Sequence, residues 1–266
     1  PAITFVLDAE VREILHAGGV AQGVRYRRDG EDHTLRAPTV VLGANAIQSP
    51  AILLRSGLDH PLTGRGLTEQ VGAEFEVTLD GLDNFGGSTV TTGINFSLYD
   101  GPHRATLGAA MLTFENRLKY GVRPEFGRWR QYVPVVVNVE DEPLHENRVT
   151  LDGDGTASIE YRGPSAYAHR GLARVREVLP EVLRPLPVET IRYRGERPTE
   201  SHVQCSLRAG DDPASAVVDG AGRHHWMPNL VVVGSATFPT CPPANPSLTV
   251  AAMALRTAAL WLEEAA

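Results

Sequence analysis

The stretch "GSATFPTCPPANPSLTVAAMALRTAALWL", residues 234–262, decides the fold. It leads from the end of a strand, through a loop of prolines, into a long apolar helix. Asn245 is a good N-cap, and Pro246 suits the first helical position, where no N–H is needed. Leu248, Ala252, Leu255, Ala259 and Leu262 recur as one apolar stripe, which predicts that most of the helix is buried. The preceding "NLVVVGS", residues 229–235, is apolar, as expected of a strand covered on both faces. A buried strand that hands over to a capped helix leaves free N–H groups at the edge of a sheet. Such an end carries partial positive charge and suits an anion.

The chain has 266 residues, enough for one large or two modest domains with a real core. Its net charge of −7 argues against a general nucleic-acid binder, because no basic surplus is available to neutralise phosphates. No apolar run reaches the length of a membrane span. The two cysteines, Cys205 and Cys241, rule out a disulfide scaffold and a cysteine-rich zinc site, and no metal is expected. They fit a reducing compartment, which favours the cytoplasm. The opening "PAITFVLDAEV" has no initiator Met and no signal pattern, and it reads as starting almost inside a strand. The expectation is a fragment or a processed half of a longer protein.

Residues 4–45 read as a β-meander whose turns are "AGG" and "RDGED". "AIQSPAILLRSG" reads as a short helix stopped by Gly57. From residue 64 to about 192 the strand-like runs "AEFEVTLDG", "RATLGAAMLTF", "RQYVPVVVNVED" and "NRVTLDGDGTASIEYRG" predict an antiparallel sheet with one face solvated. A single helix, "SAYAHRGLARVREVLPEVL", interrupts it.

The tail supplies, in order, His202, Arg208, Gly210, Asp212 and Pro213, then Val218 and Asp219, then Pro228, Asn229 and Leu230. Gly234, Pro239, Asn245, Pro246 and Thr249 follow. This order resembles the C-terminal portion of the glucose–methanol–choline (GMC) family of FAD-dependent oxidoreductases. Upstream, "GANAIQSPAILLRSG" is similar to that family's second signature. The chain departs from the pattern at Asn45 and Cys205, where Gly is usual, at Ser206, where Thr is usual, and at Ala209, where Met is usual. The family's G-x-G-x-x-G turn, which holds the FAD pyrophosphate, is not present; "GLDNFGG" and "DGDG" do not lie between a strand and a helix.

The resemblance implies an α/β (α+β) fold. Residues 1–63 and 196–266 would be parts of an FAD-binding Rossmann-like domain, and residues 64–195 an antiparallel-sheet substrate domain. It implies FAD as cofactor, with the N-terminal FAD-binding half carried by a separate chain or by the other product of a cleavage. In this family the start of the last helix faces the flavin end that becomes anionic on reduction, so the anion is one made during turnover. Gly234, Ser235, Asn245, Pro246 and Ser247 are the implied cofactor contacts.

The implied reaction is oxidation of an alcohol, with a sugar or glycoside ring hydroxyl favoured because "HVQ" and the His/Asn pair resemble the pyranose and glycoside oxidase branch. By itself a histidine after "TES" reads as structural; the motif makes His202 the expected base. Asn245 would orient the hydroxyl. Arg208 and Asp212 are expected to hold the loop, His224 and His225 to be solvated, and the two thiols to be small buried groups. His103 and Arg104 are candidates for a substrate entrance. A dehydrogenase acting on a non-sugar alcohol and a non-catalytic stabilising subunit are the alternatives.

Overall fold

The computed structural model describes residues 3–84, 91–116, 129–199 and 201–264; the end of "GLDNFGG" and Glu200 fall outside them. The expected meander is present as β1 (Glu10–Ala17), β2 (Val20–Arg28) and β3 (Glu31–Arg36), all antiparallel. Gly18 and Gly19 (φ 57° and 76°) and Asp29 and Gly30 (φ 52° and 84°) take up the positive φ values that two-residue hairpin turns require. Residues 3–9, however, are not in a strand, and Ile3, Phe5 and Leu7 are exposed. Apolar composition alone did not find them a pairing partner.

β4 (Val40–Leu42) leads into α1 (Asn45–Arg55). Asn45 sits at φ 64°, which accounts for the glycine usual there. Its side chain accepts from the N–H groups of Ile47 (2.8 Å) and Gln48 (3.0 Å), so it gains a helix-start bond that glycine lacks. Pro50 lies inside α1 and has no N–H to give the carbonyl of Ala46. The buried Ser206 hydroxyl donates to that carbonyl instead, at 2.6 Å. Two sequence signatures 160 residues apart are therefore joined by one hydrogen bond. Gly57 (φ 71°) ends the helix, donating to Leu54 O.

Five strands form an antiparallel sheet in the order β11-β5-β8-β7-β6. They are β5 (Val71–Leu79), β6 (Thr91–Asn95), β7 (Ala110–Glu115), β8 (Tyr132–Val139) and β11 (Val188–Arg197). A hairpin, β9 (Arg148–Leu151) and β10 (Ala157–Glu160), and helix α2 (Ala166–Val182) lie between β8 and β11. Phe75, Val77, Leu112, Val135 and Val137 pack with Leu172, Val175 and Leu179 of α2 in one core. The opposite face was expected to be solvated. On β5 it is not: Glu74 and Glu76 are buried, and Arg194 pairs with Glu76 at 3.2 Å. The pairing explains why a carboxylate alternates with apolar residues on a covered strand.

The hairpin belongs to the other core. Val149 packs with Ile52 and Leu53 of α1, and with Leu230 and Val232 of β13 (Met227–Val232). β13 lies between β4, its parallel partner, and the short antiparallel β12 (Arg223–His224). As expected, Leu230, Val231 and Val232 are buried. The Asn229 side chain bonds Ala21 N, Ala21 O and Pro38 O, fastening β13 to the meander.

The last helix, α3 (Ser247–Glu264), differs from expectation twice. Its first helical bond runs from Val250 N–H to Pro246 O, so Pro246 holds the cap position and Asn245 lies one residue outside. The proposed buried stripe faces outward: Leu248 is 83% exposed, Leu255 75% and Leu262 68%. The neighbouring flank docks instead, through Val250 and Met253 on Phe238 and the two cysteines, and through Trp261 under Arg223. In an Ala-rich helix two adjacent flanks carry comparable apolar content, and only packing selects between them.

Replacing Ser206 by Ala leaves the buried Ala46 carbonyl without a donor, an expected loss of about 1–3 kcal/mol in urea unfolding. Ser206→Thr, which keeps the hydroxyl, is expected to lose less.

Candidate active site

The run 202–210 is hydrogen-bonded along both edges. On one side Thr68 and Gln204 exchange main-chain bonds (3.1 and 2.9 Å), and Gly64 N–H donates to Ser206 O (2.9 Å). On the other, Cys205, Leu207 and Ala209 donate to Ser235, Ala236 and Thr237 at 3.1, 2.8 and 2.9 Å. Cys205 sits at φ 71°, again where glycine is usual, and its side chain enters the cluster under α3. Both thiols are free and buried, as expected, and burial pushes both well up, so neither supplies a thiolate.

His202 stands at the start of this run, half-buried. Its main-chain N–H donates to Glu69 Oε1 (3.2 Å), which also receives the Thr199 hydroxyl. Its ring Nδ1 lies 2.8 Å from Oε1 of Gln70. The same Gln70 amide donates from Nε2 to Pro242 O (2.6 Å) and Ala244 O (2.8 Å). Gln204 Nε2 donates to His202 O (3.1 Å) and to Cys241 Sγ (3.3 Å). The histidine and the loop that ends at Asn245 are thus held together by two glutamines.

Behind the loop, Asp141 and Cys241 exchange main-chain bonds, and Asp141 accepts the Ser165 hydroxyl at 2.5 Å. Burial pushes the Asp141 carboxyl above the usual range, against the bonds from Ser165, Glu142 N–H and Thr68. Ser165 is also the N-cap of α2, accepting from Ala168 N–H. The end of β8, the start of α2 and the proline loop therefore meet at one buried carboxylate.

Of the expected cofactor contacts, Asn245 and Ser247 are exposed and Pro246 is buried. Gly234 has φ 108° and open space where a side chain would project. The Ser235 hydroxyl donates to Val203 O (2.9 Å), which leaves it acceptor capacity only. The N–H groups of Ser247, Leu248 and Thr249 precede the first bonded one and have no acceptor within α3. An exposed helix start with unbonded N–H groups suits an anion.

Glu69, Gln70 and Gln204 were not picked out from the sequence as site residues. The pair in "LTEQVG" reads as the polar lead-in to a strand, and only "HVQ" drew attention to Gln204. Asp212 holds the loop by accepting from Ala214 and Ser215 N–H, whereas Arg208 enters it through its main-chain carbonyl, which accepts from Val217 N–H. Arg104 grips Glu140 through Nη2 (2.7 Å) and Nε (3.1 Å), and His103 Nε2 lies 3.1 Å from Leu98 O, so both are tied into structural contacts.

His224 is not solvated. It is buried, with neither ring nitrogen hydrogen-bonded, edge-on to Trp226. His225 bonds Gly210 O through Nε2 (2.9 Å). Among the described residues there is no cluster of three or more metal-ligating side chains, and no helix is long and apolar enough to cross a membrane.

Two family models described as GMC oxidoreductase match residues 2–75 and 143–254. Paromamine 6'-oxidase of Streptomyces fradiae is 32% identical over 251 residues, covering 85% of this chain and 46% of that protein. C-glycoside 3-oxidase of Arthrobacter globiformis is 27% identical over 296 residues, covering 99% and 54%. The chain therefore spans about half the length of the curated relatives it matches. Among solved structures, pyridoxine 4-oxidase from Mesorbium loti aligns with a TM-score of 0.68 at 16% identity, covering 96% of this chain and 57% of that one. A formate oxidase aligns at 0.66 and 14%, covering 96% and 60%. At such identities the structures show a shared fold.

Burial, with His60 and His225 nearby, lowers the His224 pKa from 6.5 to about 4. The fold accepts the neutral ring, so its full stability holds above pH 6.5 and is lost as pH falls toward 4. The difference amounts to about 3 kcal/mol. His224→Leu is expected to flatten the fall of the urea midpoint between pH 7 and pH 4.5.

Proposed function

The chain belongs to the GMC oxidoreductase family, and we propose that it is the portion of an FAD-dependent alcohol oxidase that carries the base and the last helix. The observation that supports this most is the joint anchoring of His202 and the Asn245 loop through Gln70, beside the open start of α3. Bound FAD supplies the acceptor for the hydrogen and electron pair that leave the carbon. His202 takes the hydroxyl proton on its outer nitrogen. Asn245, unable to accept a proton at neutral pH, orients the hydroxyl and donates to the oxygen as it gains charge. Gly234 and the free N–H groups at the start of α3 would face the flavin edge that gains charge.

The substrate we favour is a sugar or glycoside hydroxyl, because the relatives named above include a paromamine oxidase and a C-glycoside oxidase. The division into residues 1–63 and 196–266 for the FAD domain and 64–195 for the substrate domain is part of this reading. So is an N-terminal half that carries the pyrophosphate-binding turn. The outward Leu248–Leu255–Leu262 face and Val41, 61% exposed on β4, offer apolar surface for that half to cover. Two buried free thiols favour a reducing compartment such as the cytoplasm.

If His202 is the base, His202→Ala in the full-length flavoprotein should keep its flavin and slow flavin reduction by about 10²–10⁴-fold. The residual rate should rise with pH as alkoxide replaces the missing base. Stopped-flow bleaching of the flavin by a glycoside measures both, and wild-type reduction in a flavin-replete mutant removes His202 from the mechanism.

A further inference from the structure

We propose that Gln70 is the positioning residue of this site, holding His202 in the tautomer with its proton on Nδ1 and locking the proline loop that presents Asn245. The proposal rests on the reading of His202 as the base.

The orientation of the Gln70 amide follows from what surrounds it. Its nitrogen lies 2.6 Å from Pro242 O and 2.8 Å from Ala244 O, and carbonyl oxygens can only accept. Turning the amide over would set three oxygens against one another. The nitrogen end therefore faces the loop, and the oxygen end faces His202 Nδ1 at 2.8 Å. An amide oxygen also can only accept, so the hydrogen of that bond belongs to Nδ1. In the neutral ring the lone pair is then on Nε2, which makes no hydrogen bond to the described residues. The base is set before substrate arrives, and the bond to Gln70 survives when Nε2 takes a proton.

The loop needs this hold. Pro242 and Pro243 have no N–H, so that stretch can be tethered only through its carbonyls. Gln70 is buried and leads directly into β5, where Val71 pairs with Val139, while Thr68 two residues earlier pairs with Gln204. One side chain thus references the histidine, the asparagine loop and the substrate sheet to each other. The nearby charge, Glu69, is engaged by the His202 main chain and Thr199 rather than by the ring.

The direct test is the ¹⁵N spectrum of ring-labelled histidine in the full-length flavoprotein, with the His202 signals identified by their loss in His202→Ala. The proposal expects a protonated Nδ1 and a bare Nε2 in the neutral ring; an Nε2–H tautomer overturns it. In kinetics, Gln70→Leu should retain flavin and slow its reduction by about 10–100-fold, the usual size of an outer partner's effect on a working histidine at a metal site. Gln70→Glu keeps an acceptor on Nδ1 but sets its second oxygen against the carbonyls of Pro242 and Ala244. It should therefore release the loop and slow reduction as Gln70→Leu does, while its added charge shifts the pH limb of the rate upward. Should Gln70→Leu fail to fold, the spectrum and Gln70→Glu decide. Wild-type rates and limbs in the Gln70 variants beside a slow His202→Ala overturn this proposal alone. A wild-type rate in His202→Ala overturns the base itself, and this proposal with it.

Discussion

The run from His202 to Gly210 is the constraint on which the rest depends, because it is hydrogen-bonded along both edges and sets Leu207 in the core of α1 and β13 and Cys205 in the cluster under α3. On one edge it joins residues 64–68, and on the other residues 235–237. Ser206 meanwhile fills the gap that Pro50 leaves in α1. A buried carbonyl or N–H without a partner costs more than an average hydrogen bond contributes. None of these bonds can slip alone, so the histidine at the head of the run inherits a fixed position.

That fixity is what the proposed role of His202 as base requires. A base must meet its hydroxyl within hydrogen-bond reach, and small displacements erode the advantage of a preorganised site. Here the precision comes from polar side chains buried between segments: Gln70, Gln204, Asp141 and Ser165. Apolar packing alone would tolerate small slides between the sheet and the proline loop. Directional bonds at 2.6–2.8 Å do not.

Two of the chain's departures from its family's pattern have a common cause. Asn45 and Cys205 replace glycine at φ 64° and 71°, where a side chain is strained. Asn45 offsets that strain with two hydrogen bonds to the start of α1, and Cys205 with a fully buried thiol under α3. The backbone demand is the same at both positions, and the residues meet it differently.

The sequence by itself determined the meander, α1 with its glycine stop, α2, the buried β13 and the family, because each is written in local periodicity, turn residues or ordered motifs. It also marked His202 and Asn245 as candidates, since the motif residues that single them out lie beside them in the chain. Tertiary structure alone decided which flank of α3 docks, because an Ala-rich helix offers two. It alone buried Glu74, Glu76 and His224, whose polarity suggests a solvated surface; Arg194 arrives from another strand to pair with Glu76, and His224 is covered by packing against Trp226. Gln70 was legible only in three dimensions: it lies 132 residues from the histidine and more than 170 from the loop it holds, and no local pattern spans such distances.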